Sequence, residues 1–213
     1  VAGGHTIDSL EPVYGLVVIG LVDPARLRRN AGARPGDRLI LGKPLGIGIY
    51  GMALKRGALD ASDYEAMIDS ATRLNTPGPI LACLDGVHAL TDVAGFGLLG
   101  HLLGVCRRSA VGARVRFAAL PLLAQALAFA GAGDVGGAAQ RNWESCSQEV
   151  TPGAGIGGKE RAVLSDPQAS GGLLVSCAPE AVTEVLSIFL QQGFSQVSVI
   201  GEFVEGKPAI EVF

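Results

Sequence analysis

Residues 196–213 read QVSVIGEFVEGKPAIEVF, and the fold class turns on how they are read. Two runs rich in Val and Ile, 196–201 and 209–213, flank a short polar segment holding Gly206, the pattern of two strands joined by a tight turn. A hairpin makes neighbouring strands antiparallel, whereas strand–helix–strand units alone would make them parallel. The expected class is therefore α+β, a mixed or antiparallel sheet with packed helices. A doubly wound parallel sheet is the alternative.

Upstream, strands and helices alternate. Residues 172–177 read as a strand, Pro179 sits at the first position of a helix, and that helix runs over 180–192. Residues 131–158, rich in Gly and polar side chains, read as a long surface excursion. Residues 120–130 read as an Ala/Leu-rich helix after Pro121, and 113–117 as a strand. A short strand over 87–90 ends in Thr91-Asp92 and leads into a helix over 95–108, with Phe96, Leu99, Leu103 and Cys106 on one stripe. Residues 60–74 form a helix with Ser62 and Glu65 at capping-box spacing and Tyr64, Met67, Ile68 and Ala71 facing the core. Residues 38–42 form a strand, and Lys43-Pro44 opens a helical stretch reaching Lys55. The segment AGARPGD, 31–37, marks a domain boundary. Residues 1–35 then read as the trailing edge of another domain, with 14–22, YGLVVIGLV, as a buried strand bounded by Pro12, and 36–213 as a C-terminal domain.

Composition narrows the function classes. With 213 residues, 48% of them apolar and only 17% charged, burial can offset chain entropy over most of the length. A net charge of −3 leaves no electrostatic footprint for nucleic acid, and no apolar run approaches the roughly 20 residues that span a bilayer. Cys83, Cys106, Cys146 and Cys177 lie far apart, without CxxC or zinc-site spacing, so they read as buried thiols of a reducing cytoplasm. No basic-then-apolar leader opens the chain, and the absence of an initiator Met suggests that a segment upstream has been removed.

Four segments can carry chemistry. Gly3-Gly4-His5-Thr6-Ile7-Asp8 offers a Gly-Gly turn through which backbone can approach an anion, although such a turn is commonly only a turn. TDVAGFGLLGH, 91–101, places Asp92 at a strand end before a glycine-bounded helix start, where it is either a helix cap or a hard oxygen ligand for Mg2+. KPLGIG, 43–48, lacks both Walker and dinucleotide spacing, and Lys43 reads as a surface lysine at a strand end. SDPQASGG, 165–172, has the Asp-Pro and Gly-Gly of a tight scaffold turn, and Arg141-Asn142 offers a weak anion clamp.

In this order, GGHTID, YGLVVIG, PGDRLILGKPLGIG, TDVAGFGLLGH, RN and LSDPQASGGLL resemble the C-terminal two thirds of selenophosphate synthetases, within the aminoimidazole-ribonucleotide synthetase superfamily. The resemblance implies an α+β C-terminal domain of that superfamily's type, in a cytoplasmic homodimer that makes selenophosphate from selenide, ATP and water and releases AMP and phosphate. It implies nucleotide-phosphate contact by Gly3, Gly4 and His5 with Thr6 adjacent, and a Mg2+ ligand in Asp92. It also implies that the reactive Cys or selenocysteine, its companion Lys and the other metal-binding aspartates lie upstream, so that no catalytic nucleophile is assigned here and the isolated chain is inactive. Ala94 and Ala169 depart from the Thr that the family often carries. Two other readings stay open: another ATP-dependent member of the superfamily, and a non-catalytic dimerisation or binding domain.

Overall fold

The computed structural model describes residues 2–11 and 13–213, with Tyr14 and Ala25 described by backbone alone. Val1 and Pro12, the latter expected to bound the first strand, lie outside the described residues. Two sheets form. The first is a two-stranded antiparallel ribbon of β1 (Gly3–Ile7) and β2 (Val13–Val17). The second has seven strands: β3 (Arg38–Leu41), β4 (Val87–Asp92), β5 (Gly112–Val115), β6 (Val150–Pro152), β7 (Leu173–Cys177), β8 (Ser198–Val204) and β9 (Ile210–Val212). Their order is β4-β7-β3-β8-β5-β9-β6. The β5–β9 and β9–β6 pairs are parallel and the others antiparallel, so the sheet is mixed and the doubly wound alternative falls.

The large sheet divides two cores because successive side chains of a strand point to opposite faces. Leu39 and Leu41 of β3 enter a cluster with α4 (Gly97–Ser109) and α7 (Gly158–Ser165), while Ile40 between them enters a cluster with α3 (Pro77–Leu81) and α8 (Val182–Gln191). A smaller cluster joins α1 (Ile47–Lys55), α2 (Ala61–Thr72) and α5 (Ala126–Gly131) through Tyr50, Met67 and Ala126.

Several expectations are corrected. β8 and β9 form no hairpin: β5 lies between them, hydrogen-bonded on one edge to β8 and on the other to β9, which satisfies both of its backbone edges. The helix expected over 120–130 begins only at Ala126, because residues 120–123 run extended against the 43–46 loop, where Leu45 N donates to Pro121 O and Leu123 N to Leu45 O. The supposed surface excursion contains α6 (Gly137–Cys146) and β6, whose Ala139, Cys146 and Val150 are buried. The segment 14–22 is not buried: β2 pairs with β1 alone among the described residues, and Leu16, Val17, Val18, Ile19 and Leu21 face solvent, since a two-stranded ribbon has no second layer of its own. On α2 the cap is Asp60, whose carboxylate accepts from Asp63 N at 2.8 Å. Met67 is buried there, but Tyr64 and Ile68 are exposed, because only one edge of that helix meets α1 and α5.

Candidate functional site at the ends of strands 3, 4 and 7

Strands β3 and β4 both end where β7 begins, since Leu41 pairs with Leu174 and Asp92 with Leu173 in antiparallel ladders. Chain direction alone therefore brings KPLGIG, TDVAGFG and SDPQASGG to one end of the sheet. Backbone bonds stitch them together: Gly42 N to Leu173 O and Val93 N to Gly172 O, each 2.9 Å, and Gln168 N to Ala94 O at 3.0 Å. The strands approach so closely that a Cβ on Gly171 would run into the Val93 carbonyl, and one on Gly172 into the Lys43 backbone.

Lys43 is no surface lysine; it is 2% exposed. Its ammonium donates to the carbonyls of Ser70 (3.1 Å), Arg73 (2.6 Å) and Ser170 (2.6 Å). Two of these belong to the C-terminal end of α2, where carbonyls lack helical partners and a cation is favoured. Burial lowers the Lys43 pKa, nearby Arg73 adds to the effect, and Asp69 opposes it.

The motif 165–172 is scaffold, and its side chains act on a helix far away in sequence. Helix α1 begins after Gly46, which has no side chain to cap it. Gln168 Oε1 accepts from Gly46 N (3.2 Å) and Ile47 N (3.3 Å), and Asp166 Oδ2 from Gly48 N (2.9 Å). Gln168 Nε2 closes the set by donating to Asp166 Oδ2 at 2.9 Å. Burial pushes the Asp166 pKa up to about 6 against the opposing pull of these donors. Asn142, read as half of an anion clamp, instead donates to Gly95 O (2.8 Å) and Ser165 O (3.0 Å), which uses its amide on scaffold carbonyls. Arg141 beside it is exposed.

The start of α4 holds side chains without partners among the described residues. Asp92 is exposed at the end of β4, and its carboxylate has no hydrogen bond or ion pair among the described residues. It is not a cap: α4 starts at Gly97 with Phe96 in the cap position and no side-chain cap bond. Phe96, expected in the core stripe, is 65% exposed, while Leu99, Leu103 and Cys106 are buried as expected. Two glycines explain this placement. Gly97 sits at φ +67°, where an added Cβ would lie 2.6 Å from the Ser165 carbonyl carbon. At Gly100 a Cβ would lie 2.7 Å from the Cβ of Phe96, so only glycine lets that side chain fold back along the first turn. The Phe96 ring then rests on His101, centroids 5.8 Å apart. His101 is half-buried, and its Nε2 is buried without a partner. Burial lowers the His101 pKa, and the charge of Asp92 opposes the shift.

Gly3, Gly4, His5 and Thr6 lie on the separate ribbon, exposed along β1 and paired with β2. No hydrogen bond or ion pair among the described residues joins them to the Asp92 loop. Three cysteines are buried and Cys83 is exposed, so the buried-thiol reading fails there; burial pushes Cys106 and Cys177 up to about 12. No group of three or more His, Cys, Asp or Glu among the described residues could cage a metal. Asp92 can supply one carboxylate to an ion such as Mg2+, which draws most of its shell from phosphate and water. No helix among the described residues is long and apolar enough to cross a membrane.

Sequence reasoning placed Asp92 at a strand end, where it stands, but missed the roles of Lys43, Asn142, Asp166 and Gln168. Each of those depends on a partner tens of residues distant.

The fold has counterparts among solved structures. It resembles thiamine-monophosphate kinase from Stenotrophomonas maltophilia, at TM-score 0.61 and 21% identity over 90% of this chain and 54% of that one. It also resembles the hydrogenase maturation protein HypE of E. coli, at TM-score 0.60 and 18% identity over 87% of this chain and 48% of that one. The chain belongs to the family "AIR synthase related protein, C-terminal domain", whose profile matches residues 34–212. Relatives named selenide, water dikinase are similar end to end: 61% identity over 100% of this chain for that of Dechloromonas aromatica, and 56% over 99% for that of Paraburkholderia xenovorans. The chain spans 61% and 60% of the length of those two relatives.

Proposed function

We propose that this chain is the C-terminal part of a selenide, water dikinase, a phosphotransferase making selenophosphate from selenide, ATP and water with release of AMP and orthophosphate. The observation that carries the reading is the 61% identity running the whole length of the chain. Residues 36–213 are its C-terminal domain, and 1–35 the trailing edge of an ATP-binding domain; the family match beginning at residue 34 and the separate β1–β2 ribbon support that division. The protein acts as a cytoplasmic homodimer on small molecules.

Both anhydride bonds of ATP are opened, so charge accumulates on transferred and leaving oxygens and must be neutralised. Mg2+ supplies that neutralisation when bound. Asp92 contributes one oxygen ligand from a loop that Asn142, Gln168 and the glycines hold in place. Gly3, Gly4, His5 and Thr6 present exposed backbone and side-chain donors to nucleotide phosphate.

The test uses the longer protein, with the segment preceding residue 1, supplied with selenide and Mg-ATP, and reads AMP release. Selenide-dependent AMP is expected, and Asp92→Asn should lower kcat at least about 100-fold, the scale for losing one charge-stabilising group. The 213-residue chain alone should stay at background. Wild-type protein without selenide-dependent AMP release would refute the reading.

A further inference from the structure

The 165–172 turn departs from relaxed structure at two neighbouring points. Ser170 stands at φ +55°, a left-handed backbone that a residue with a Cβ seldom takes, although the next two positions are glycine. Asn75, in the loop between α2 and α3, donates through Nδ2 to Gly171 O at 2.9 Å and leaves its Oδ1 buried without a partner among the described residues. A strained residue persists only where its surroundings over-determine it, and an orphaned buried acceptor calls for a reason. The contacts of the turn supply both. The Ser170 carbonyl is held by the Lys43 ammonium at 2.6 Å, and the Ser170 hydroxyl lies 3.4 Å from the same nitrogen. Consecutive carbonyls, those of 170 and 171, are therefore gripped by two donors that belong to neither β4 nor β7. The same turn meets the residue after Asp92: Val93 N donates to Gly172 O, and Gly171 packs so closely on the Val93 carbonyl that a Cβ would run into it. The path from the two donors to the carboxylate thus runs through hydrogen bonds and backbone contact. A rotation of the 170–171 peptide would swing the Ser170 carbonyl off Lys43 and shift Gly171 against Val93.

We propose that Asn75 and Lys43 are positioning residues for Asp92: by holding the carbonyls of Gly171 and Ser170 they keep the left-handed turn seated against Val93, and so set the direction of the carboxylate that precedes it. This rests on the reading of Asp92 as a metal ligand. Neither residue touches the ion; each acts through the turn, as the groups that orient a ligand do at metal sites. The two differ in structural weight. Lys43 also binds two carbonyls at the end of α2, so its removal disturbs that helix as well, whereas the Asn75 side chain bonds the turn alone among the described residues. Asn75 therefore isolates the effect. With its amide gone, relief of the strain at Ser170 favours rotation of the turn; with Ser170 replaced by glycine, that driving force vanishes.

The experiment compares wild type, Asn75→Ala, Ser170→Gly, the double variant and Asp92→Asn in the longer protein. It reads the affinity for Mn2+, standing in for Mg2+, by electron paramagnetic resonance, hydrogen exchange at the Val93 amide without metal, and thermal unfolding. Asn75→Ala is expected to weaken Mn2+ binding at least about 10-fold, the scale for losing a group that orients a metal ligand. It should also speed exchange at Val93 at least about 10-fold, because the bond to Gly172 O opens more often. Ser170→Gly alone should change both by less than about twofold and unfold near the wild-type temperature, since glycine takes the left-handed backbone freely. The double variant should return both readouts most of the way to wild type. Unchanged Mn2+ affinity in Asn75→Ala overturns the proposal. So does a double variant as impaired as Asn75→Ala, which would make the amide a structural prop whose loss is independent of the strain at Ser170. The Asp92→Asn arm separates the two readings: if Mn2+ binding survives it intact, the metal-ligand reading fails, and exchange at Val93 in Asn75→Ala still decides whether the turn is held.

Discussion

A single ammonium, that of Lys43, ties three carbonyls, two at the end of α2 and one in the 165–172 turn, and substitution there should be severe. Lys43→Met keeps the stem but leaves buried acceptors without donors, at roughly 1–3 kcal/mol each. Urea unfolding should show a loss of at least about 3 kcal/mol, and a loss below about 1 kcal/mol would mean that water replaces the ammonium. Asp166 makes the opposite kind of statement. Its folded pKa is about 6, above an unfolded value near 3.9, so the native state holds the proton more tightly. Between those values the unfolded state binds fewer protons, and stability falls as pH rises from about 4 through 6. Full ionisation costs about 3 kcal/mol at 1.36 kcal/mol per pKa unit. The stability of Asp166→Asn relative to wild type should therefore climb across that window. A difference that stays flat from pH 4 to 7 would show that the carboxyl does not titrate there. Neither residue was legible in the sequence, because a lysine or an aspartate next to a turn looks the same whether its partners are solvent or a distant helix end.

At the scale of elements, local pattern served where an element's own residues decide its state. The strand over 38–42, the start of α8 behind Pro179 and the buried stripe of α4 follow from periodicity and capping. It failed where another segment competes. Residues 120–123 have helical composition, yet pair with the 43–46 loop, and the start of α1 is capped from residues 166 and 168. The turn into α4 offers a clean test. Gly97→Ala meets both a left-handed φ and the Ser165 carbonyl, while Gly155→Ala, at φ +91° in open space, meets only the first. Left-handed backbone costs about 1–2 kcal/mol for alanine. Thermal unfolding should rank Gly97→Ala well below Gly155→Ala, and equal losses would show that the Asp92 loop yields without resistance.

For the whole molecule, the sequence foretold a mixed α+β sheet and the three motifs that meet at its end, but not the order of the strands. Two strands broken at Gly206 were legible; that they would not pair, because β5 lies between them, was not, since nothing within 196–213 records a strand some 90 residues earlier. The same long-range logic explains why Asp92 alone is not expected to turn over ATP: one carboxylate cannot balance the charge of a triphosphate, and no metal-caging group accompanies it among the described residues.

The position of β9 has a bearing on biosynthesis. It is inserted between β5 and β6, and among the described residues β6 has no other strand beside it. A ribosome reads the message in one direction, so residues 150–152 wait with both flanks bare until residue 212 has cleared the exit tunnel. One side of the sheet can close as translation proceeds, but the far rim is sealed only by a strand emerging some sixty residues later.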